Sequence, residues 1–297
     1  MAKPQSFTVL IATDGSDEAT AAVNGVTTFP WPDGMRVHGV VVRSSLAGLA
    51  APEIPENVWA DVEQSLVDVA EAARKILARR RPDVQVRVVN GPFVDAILKQ
   101  AERVSARVIV LGSRGHGPIA RLLLGSTSLG VVRGMKHAAL VVRGRARGWA
   151  RVALGFDGST SARHAVTFLA GLEVPAGGQV TIVRVLDGVT LTSLALLPEA
   201  TRSAIAAQVA AVETASEKKA RREIDTAAAE LSRAGWKVSV VIRRGAALHE
   251  LLAATEKARA QLLAVGARGH GAVERLLLGS VAEGALHRSP VSVLVTR

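Results

Sequence analysis

The chain contains neither cysteine nor tyrosine, and aromatic residues make up 3% of its 297 positions. Without cysteine there is no disulfide framework, no thiolate metal ligand and no thiol nucleophile, which fits a reducing cytosol. So few aromatics leave little material for a base-stacking platform along a nucleic acid strand. Long apolar runs are missing as well. Nothing approaches the roughly 18 uncharged apolar residues of a membrane span. The longest candidate, Gly188 to Pro198, is short and holds Thr190, Thr192 and Ser193. Met1 to Phe7 shows no charged segment leading into a signal-length apolar stretch. The expectation is a soluble, cytoplasmic protein with no membrane partner.

Hydrophobic residues make up 48%, ample for two packed cores, and the length suggests about two domains. The net charge of +11 raises nucleic acid as a partner. Yet residues 1–148 hold 19 Lys+Arg against 13 Asp+Glu, and residues 149–297 hold 18 against 13. The excess is spread evenly, with no basic tail. The densest run, Arg79-Arg80-Arg81, ends a predicted helix, where cations suit the helix dipole. Nucleic acid is therefore not the expected partner.

The chain repeats itself. Val9-Leu10-Ile11-Ala12-Thr13-Asp14-Gly15-Ser16 returns as Val152-Ala153-Leu154-Gly155-Phe156-Asp157-Gly158-Ser159, an offset of 143. Gly112-Ser113-Arg114-Gly115-His116-Gly117 returns as Gly266-Ala267-Arg268-Gly269-His270-Gly271, and Arg121-Leu122-Leu123-Leu124-Gly125-Ser126 as Arg275-Leu276-Leu277-Leu278-Gly279-Ser280, at an offset of 154. The boundary falls in the Arg/Gly-rich stretch Gly144 to Trp149, giving domains over 1–146 and 147–297. In each half, apolar β-rich runs alternate with helical patterns, which predicts an α/β fold with a parallel sheet and crossover helices. The strands are expected over Thr8–Ala12, Val37–Val42, Val84–Val89, Val108–Leu111 and Ala139–Val142, then Val152–Gly155, Val180–Val185, Val238–Ile242, Leu262–Val265 and Val291–Val295. Val62, Leu66, Val69, Ala73, Ile76 and Leu77 recur at helical spacing and predict one buried stripe. Ile205, Val209, Val212, Ile224, Ala228 and Leu231 predict another. Ser16 and Ser159 are placed to cap the first helix of each half. Ser44 to Pro55 and Gly188 to Pro198 read as loops, the first a candidate flap near the ligand crevice.

Ligands of open parallel sheets bind at the carboxyl ends of strands, where the strand order reverses. Asp14 and Asp157 follow the first strand of each half, and the glycine loops follow the fourth. Each loop has the form G-x2-G-x9-G-S: Gly112, Gly115, Gly125, Ser126, and Gly266, Gly269, Gly279, Ser280. Glycines let backbone N–H groups approach an anion without a Cβ in the way. Gly125-Ser126 and Gly279-Ser280 open the next helix, whose free N–H groups favour phosphate. The bland alternative is that these glycines only make tight turns. Neither a Walker-type P-loop nor a G-x-G-x-x-G fingerprint is present.

These residues resemble the universal stress protein family, on the strand ending in Asp-Gly-Ser and the Gly-Ser/Ala-Arg-Gly-His-Gly loop with its distal Gly-Ser. The resemblance covers nearly the whole chain. It implies two tandem, open, doubly wound five-stranded parallel sheets of order 3-2-1-4-5 with helices on both faces. It further implies ATP as the adenine nucleotide held in the crevice, and two halves paired as an intramolecular pseudo-dimer about a pseudo-twofold axis. By position, Asp14 and Asp157 would lie beside the adenosine, and Val42 and Val185 would pack on the adenine. Gly112, Gly115, Gly125 and Ser126 would surround ribose and phosphates, as would Gly266, Gly269, Gly279 and Ser280. Core packing serves the two valines equally well. Ser128 has a hydroxyl where the second half has Ala282, so the second site is expected to grip terminal phosphates less well.

No catalytic residue is assigned. His116 and His270 sit in the loops beside Arg114 and Arg268 and read as loop or phosphate contacts. His38, His137, His164, His249 and His287 are scattered without metal-ligand spacing. Asp14 and Asp157 could hold Mg²⁺ together with substrate phosphates. The expected function is a stress-response regulatory protein that binds ATP with little or no hydrolysis and is read by an unidentified protein partner, with a homodimer also compatible. A slow ATPase, a nucleotide-independent scaffold and a cAMP-binding module remain alternatives, since fold alone does not choose among them.

Overall fold

Every run expected as a strand forms one, with ends shifted by a residue or two. The structure is a computed structural model describing residues 7–44, 56–113, 124–144, 148–186, 199–269 and 278–297. The first half contains β1 (Thr8–Ala12), α1 (Asp17–Thr28), β2 (Arg36–Arg43), α2 (Glu56–Ala78), β3 (Gln85–Asn90), α3 (Phe93–Arg103), β4 (Val108–Gly112), α4 (Ser126–Gly134) and β5 (Ala138–Val142). The second contains β6 (Arg151–Gly155), α5 (Thr160–Ala170), β7 (Gln179–Leu186), α6 (Glu199–Arg233), β8 (Lys237–Arg244), α7 (Ala247–Lys257), β9 (Leu262–Gly266), α8 (Ser280–Arg288) and β10 (Ser292–Thr296). Gly115, Arg114 and His116 of the first loop, His270 of the second, and nearly all of both connecting loops (45–55 and 187–198) lie outside the described residues.

The strands form one ten-stranded sheet in the order β3-β2-β1-β4-β5-β10-β9-β6-β7-β8. In each half the first strand leads outward to two partners, and the chain then returns to its other side, so the order reverses between β1 and β4 and between β6 and β9. Pairing is parallel except between β5 and β10, where Leu140 lies opposite Leu294. These two leucines hold the same place in their repeats, so the two halves meet around that pair. Arg143, just past β5, donates to Leu286 O near the end of α8, and Arg297, just past β10, donates to Arg133 O near the end of α4. Each half thereby satisfies a carbonyl at the end of the other's helix, where an intrahelical partner is lacking.

Alternation along the strands sends side chains to two cores. Val9 and Ile11 face a layer with α1, α2, α5 and α6, while Leu10 and Ala12 face a layer with α3, α4, α7 and α8. Both cores run across the two halves. The scarce aromatics gather at that junction. Phe29 meets Trp31 at 4.2 Å and Trp149 at 4.8 Å, and Phe7 meets Trp31 at 5.9 Å and Phe168 at 5.8 Å, in tilted or edge-on geometries. The indole N–H groups find acceptors: Trp31 on Val26 O at 2.9 Å and Trp149 on Thr28 Oγ1 at 3.3 Å.

The helical stripes are buried over only part of their length. Ala73 and Leu77 are buried on α2, but Val62 is 39% exposed; on α6, Ile224 and Leu231 are buried while Val212 is 57% exposed. Length explains the difference. At 1.5 Å per residue, the 23 residues of α2 and 35 of α6 reach about 35 Å and 50 Å, farther than an eight-residue strand can underlie. No described helix is long and apolar enough to cross a membrane.

Candidate functional site

The Asp-Gly-Ser segments first make a helix-starting turn. Asp14 Oδ1 accepts from Ser16 N at 3.0 Å and from Ser16 Oγ at 2.6 Å, and Ser16 Oγ accepts from Ala19 N at 3.3 Å to cap α1. Asp157 Oδ1 accepts from Ser159 N at 2.9 Å, and Ser159 Oγ caps α5 through Ala162 N at 3.2 Å. Gly15 and Gly158 between them take φ of +81° and +83°, the left-handed region that glycine enters without strain. The turns place both aspartates at the carboxyl end of the sheet, just past β1 and β6.

The glycines ending β4 and β9 have a packing role. A Cβ on Gly112 would lie 2.8 Å from Ala19 N, and one on Gly266 2.7 Å from Ala162 N. Bare backbone is what lets the first turn of α1 and α5 cross the strand ends. Beyond each strand the chain returns to the same place: Gly125 N donates to Ser113 O at 2.9 Å and Gly279 N to Ala267 O at 2.8 Å. Gly125 and Gly279 then cap α4 and α8 with no side-chain hydrogen bond, and Ser126 and Ser280 are exposed. The first intrahelical bonds run from Leu129 N to Gly125 O and from Glu283 N to Gly279 O, so the N–H groups before them have no intrahelical acceptor.

In the second half these pieces surround one crevice of about 360 Å³, on the α7/α8 side of the sheet between β6 and β9. Asp157, Val185, Gly266, Gly269, Gly279 and Ser280 all line it. One wall is apolar: Val183, Val185, Val265, Ala247 and Leu251. Arg268 lines it as well, and a Cβ on Gly269 would lie 2.7 Å from Asp157 Oδ2. Sequence reasoning missed Ala247 and Leu251; their signal was the buried stripe of the helix after β8. In the first half Asp14 follows β1 and Gly112 ends its neighbour β4, with Gly125 N tied to Ser113 O and Ser128 Oγ to Gly112 O; Val42 lies near the end of β2 and Ser126 opens α4.

Ser128 departs from its expected use. It is buried, and its Oγ donates to Gly112 O at 2.8 Å, joining α4 to the end of β4. That donor is committed to the backbone, so the contrast with Ala282 no longer argues for a weaker grip on phosphate in the second half. At the start of the first loop Ser113 Oγ donates to Glu18 Oε2 at 2.8 Å, and Gly144 N reaches the same oxygen at 3.2 Å; in the second half Ser159 Oγ donates to Arg268 O at 3.0 Å. Among the described residues no three His, Asp or Glu side chains gather as a metal site. A divalent cation here would depend on ligand phosphates for most of its oxygens.

The profile of the Universal stress protein family matches residues 6–143 and again 148–297. The chain belongs to the universal stress protein family. A universal stress protein of Mycobacterium tuberculosis strain H37Rv is 28% identical over 316 aligned positions, covering 100% of this chain and 99% of that one. One from Synechocystis is 26% identical, covering 97% of this chain and 99% of its own length. The crystal structure of a universal stress protein from Archaeoglobus fulgidus superposes with a TM-score of 0.66 at 21% identity, covering 98% of both chains, and so shares the fold. This tandem universal stress protein therefore has the family's architecture twice over.

Proposed function

We propose that this universal stress protein is a stress-response regulatory module that binds an adenine nucleotide, ATP, in each half, with domains over 1–146 and 147–297. The observation that carries the reading is the second-half crevice, where six residues expected from the repeated motifs and the family resemblance, from four separate segments, line one cavity. The apolar wall around Val185 suits a base. The Gly279-Ser280 helix start suits phosphates, because its N–H groups and the positive end of the helix dipole face anions. The tight approach of Gly269 to Asp157 leaves no room there for a side chain, so the crevice keeps its opening only with glycine at this place. Asp14 and Asp157 already accept N–H bonds in their turns, which favours positioning over activation of water and hence binding with little hydrolysis.

The test is to denature freshly purified protein, identify any released nucleotide by mass, and titrate stripped protein with Mg-ATP. About two nucleotides per chain are expected. Gly269→Val should weaken one site by more than about tenfold, since the added side chain enters the crevice. Failure of both release and titration would sink the proposal. Steady ATP turnover abolished by Asp14→Asn and Asp157→Asn would favour an ATPase instead.

A further inference from the structure

Nine aromatic residues are a small allotment for 297 positions, and their placement is informative. Five meet at the junction of the halves, and Phe156 and Trp236 are buried in the core. Only Phe93, 45% exposed, and Trp59, 42% exposed, are left at the surface. Trp59 lies on α2, on the sheet face away from the crevices. Phe93 opens α3, on the crevice side.

The repeat shows what stands at the same place in the second half. Gly91 and Gly245 have φ of +138° and +134°, and each donates its N–H to the end of the neighbouring strand, on Arg43 O at 3.1 Å and Leu186 O at 3.2 Å. Two residues later come Phe93 and Ala247, each the first residue of its helix. Ala247 lines the second crevice. The remaining apolar wall is matched pair by pair: Val40, Val42, Ile97 and Leu111 stand where the second half has Val183, Val185, Leu251 and Val265. Val94 and Leu98 pack onto the core under α3, but Phe93 stays outside it. Folding does not demand an aromatic here, because alanine starts α7 equally well.

Resting on the nucleotide reading above, we propose that Phe93 makes the first crevice a stacking site for the nucleobase, and that this distinguishes it from the second. An exposed aromatic ring at the start of α3, on the side of the sheet that carries Val40, Val42, Ile97 and Leu111, offers a planar ring the dispersion and quadrupole contacts that alanine lacks. The two helix starts, Gly125-Ser126 and Gly279-Ser280, are built alike, so the difference falls on the base. Purines, with the larger stacking area, should prefer the first site, and the second should discriminate less.

The experiment uses the full chain, stripped of nucleotide, in calorimetric titrations of wild type, Phe93→Ala, Phe93→Trp and Ala247→Phe with Mg-ATP and with inorganic tripolyphosphate, which has no base. The expected result is that Phe93→Ala weakens ATP at one site about tenfold while leaving tripolyphosphate unchanged, and that Phe93→Trp restores it. Ala247→Phe should tighten the other site. Unchanged or tighter ATP binding in Phe93→Ala would overturn the inference, because the ring would then be idle or a shutter. If wild type fills only one site, insensitive to Phe93→Ala and lost in Gly269→Val, the inference falls and the nucleotide reading stands. If wild type binds no nucleotide, both fall.

Discussion

Gly112 and Gly266 sit where the first helix of each half crosses a strand end, with backbone atoms within 3 Å of any added Cβ. Gly266→Ala should destabilise the protein by about 1–3 kcal/mol, because the atoms it would meet are backbone and the Ser161 Cβ, none of which can turn aside. Urea unfolding measures this; a loss of nucleotide affinity without a loss of stability would contradict the packing role. Two histidines of the first half respond to pH. Burial, then Arg87 and Arg36, holds His38 below its ordinary value of 6.5, against a weaker pull from Asp83. Burial, then Arg107 and Lys136, lowers His137 in the same way. The unfolded chain thus takes up these protons at a higher pH than the folded one. Their contribution is intact above the unfolded value of 6.5 and is lost as the pH falls below it through the lowered folded values. The melting temperature should fall on acidification from about pH 7.5 to 5.5, less steeply in a His38→Gln, His137→Gln double variant.

At the level of elements, the same two turns start the same two helices, and they can be compared directly. Ser159→Ala removes the acceptor of Ala162 N and the donor to Arg268 O, and should cost about 1 kcal/mol or somewhat more. Ser16→Ala removes the cap and the bond to Asp14. Denaturant midpoints of the two variants should both fall, and Ser159→Ala should also weaken nucleotide binding at the second crevice, because its hydroxyl holds the loop exit at Arg268. Titration with Mg-ATP separates the two effects. The long helices behave otherwise: the exposed ends of α2 and α6 contribute little to the core, so Val62→Ser and Val212→Ser should each change stability by less than about 0.5 kcal/mol.

The whole molecule depends on one seam. Leu140 and Leu294 are fully buried and face each other across the antiparallel pair, with the aromatic cluster on one side of it. Leu140→Asp would bury a charge with no partner of opposite sign built for it and should cost about 3–5 kcal/mol. Because the cores run through the seam, wild type should unfold in a single calorimetric transition and the variant in two. Leu294→Asp should act in the same way, since it enters the seam from the other half. A single, merely lowered transition in both variants would show that the halves do not hold each other through this pair.

The sequence by itself determined what depends on neighbours a few residues apart. The ten apolar runs became strands, Ser16 and Ser159 capped their helices, and the duplicated Asp-Gly-Ser and Gly-Ser landmarks fell at strand ends and helix starts. Such features follow from side-chain period, turn chemistry and the reach of a capping hydroxyl, all of which are local. Only the tertiary structure decided that two sheets join as one across Leu140 and Leu294, and that the rare aromatics serve that junction. It also decided that the Ser128 hydroxyl turns to Gly112 O and not to the crevice, and where the buried stripes of α2 and α6 stop. Each of these turns on a distance between residues far apart in the chain, which spacing along the chain does not encode.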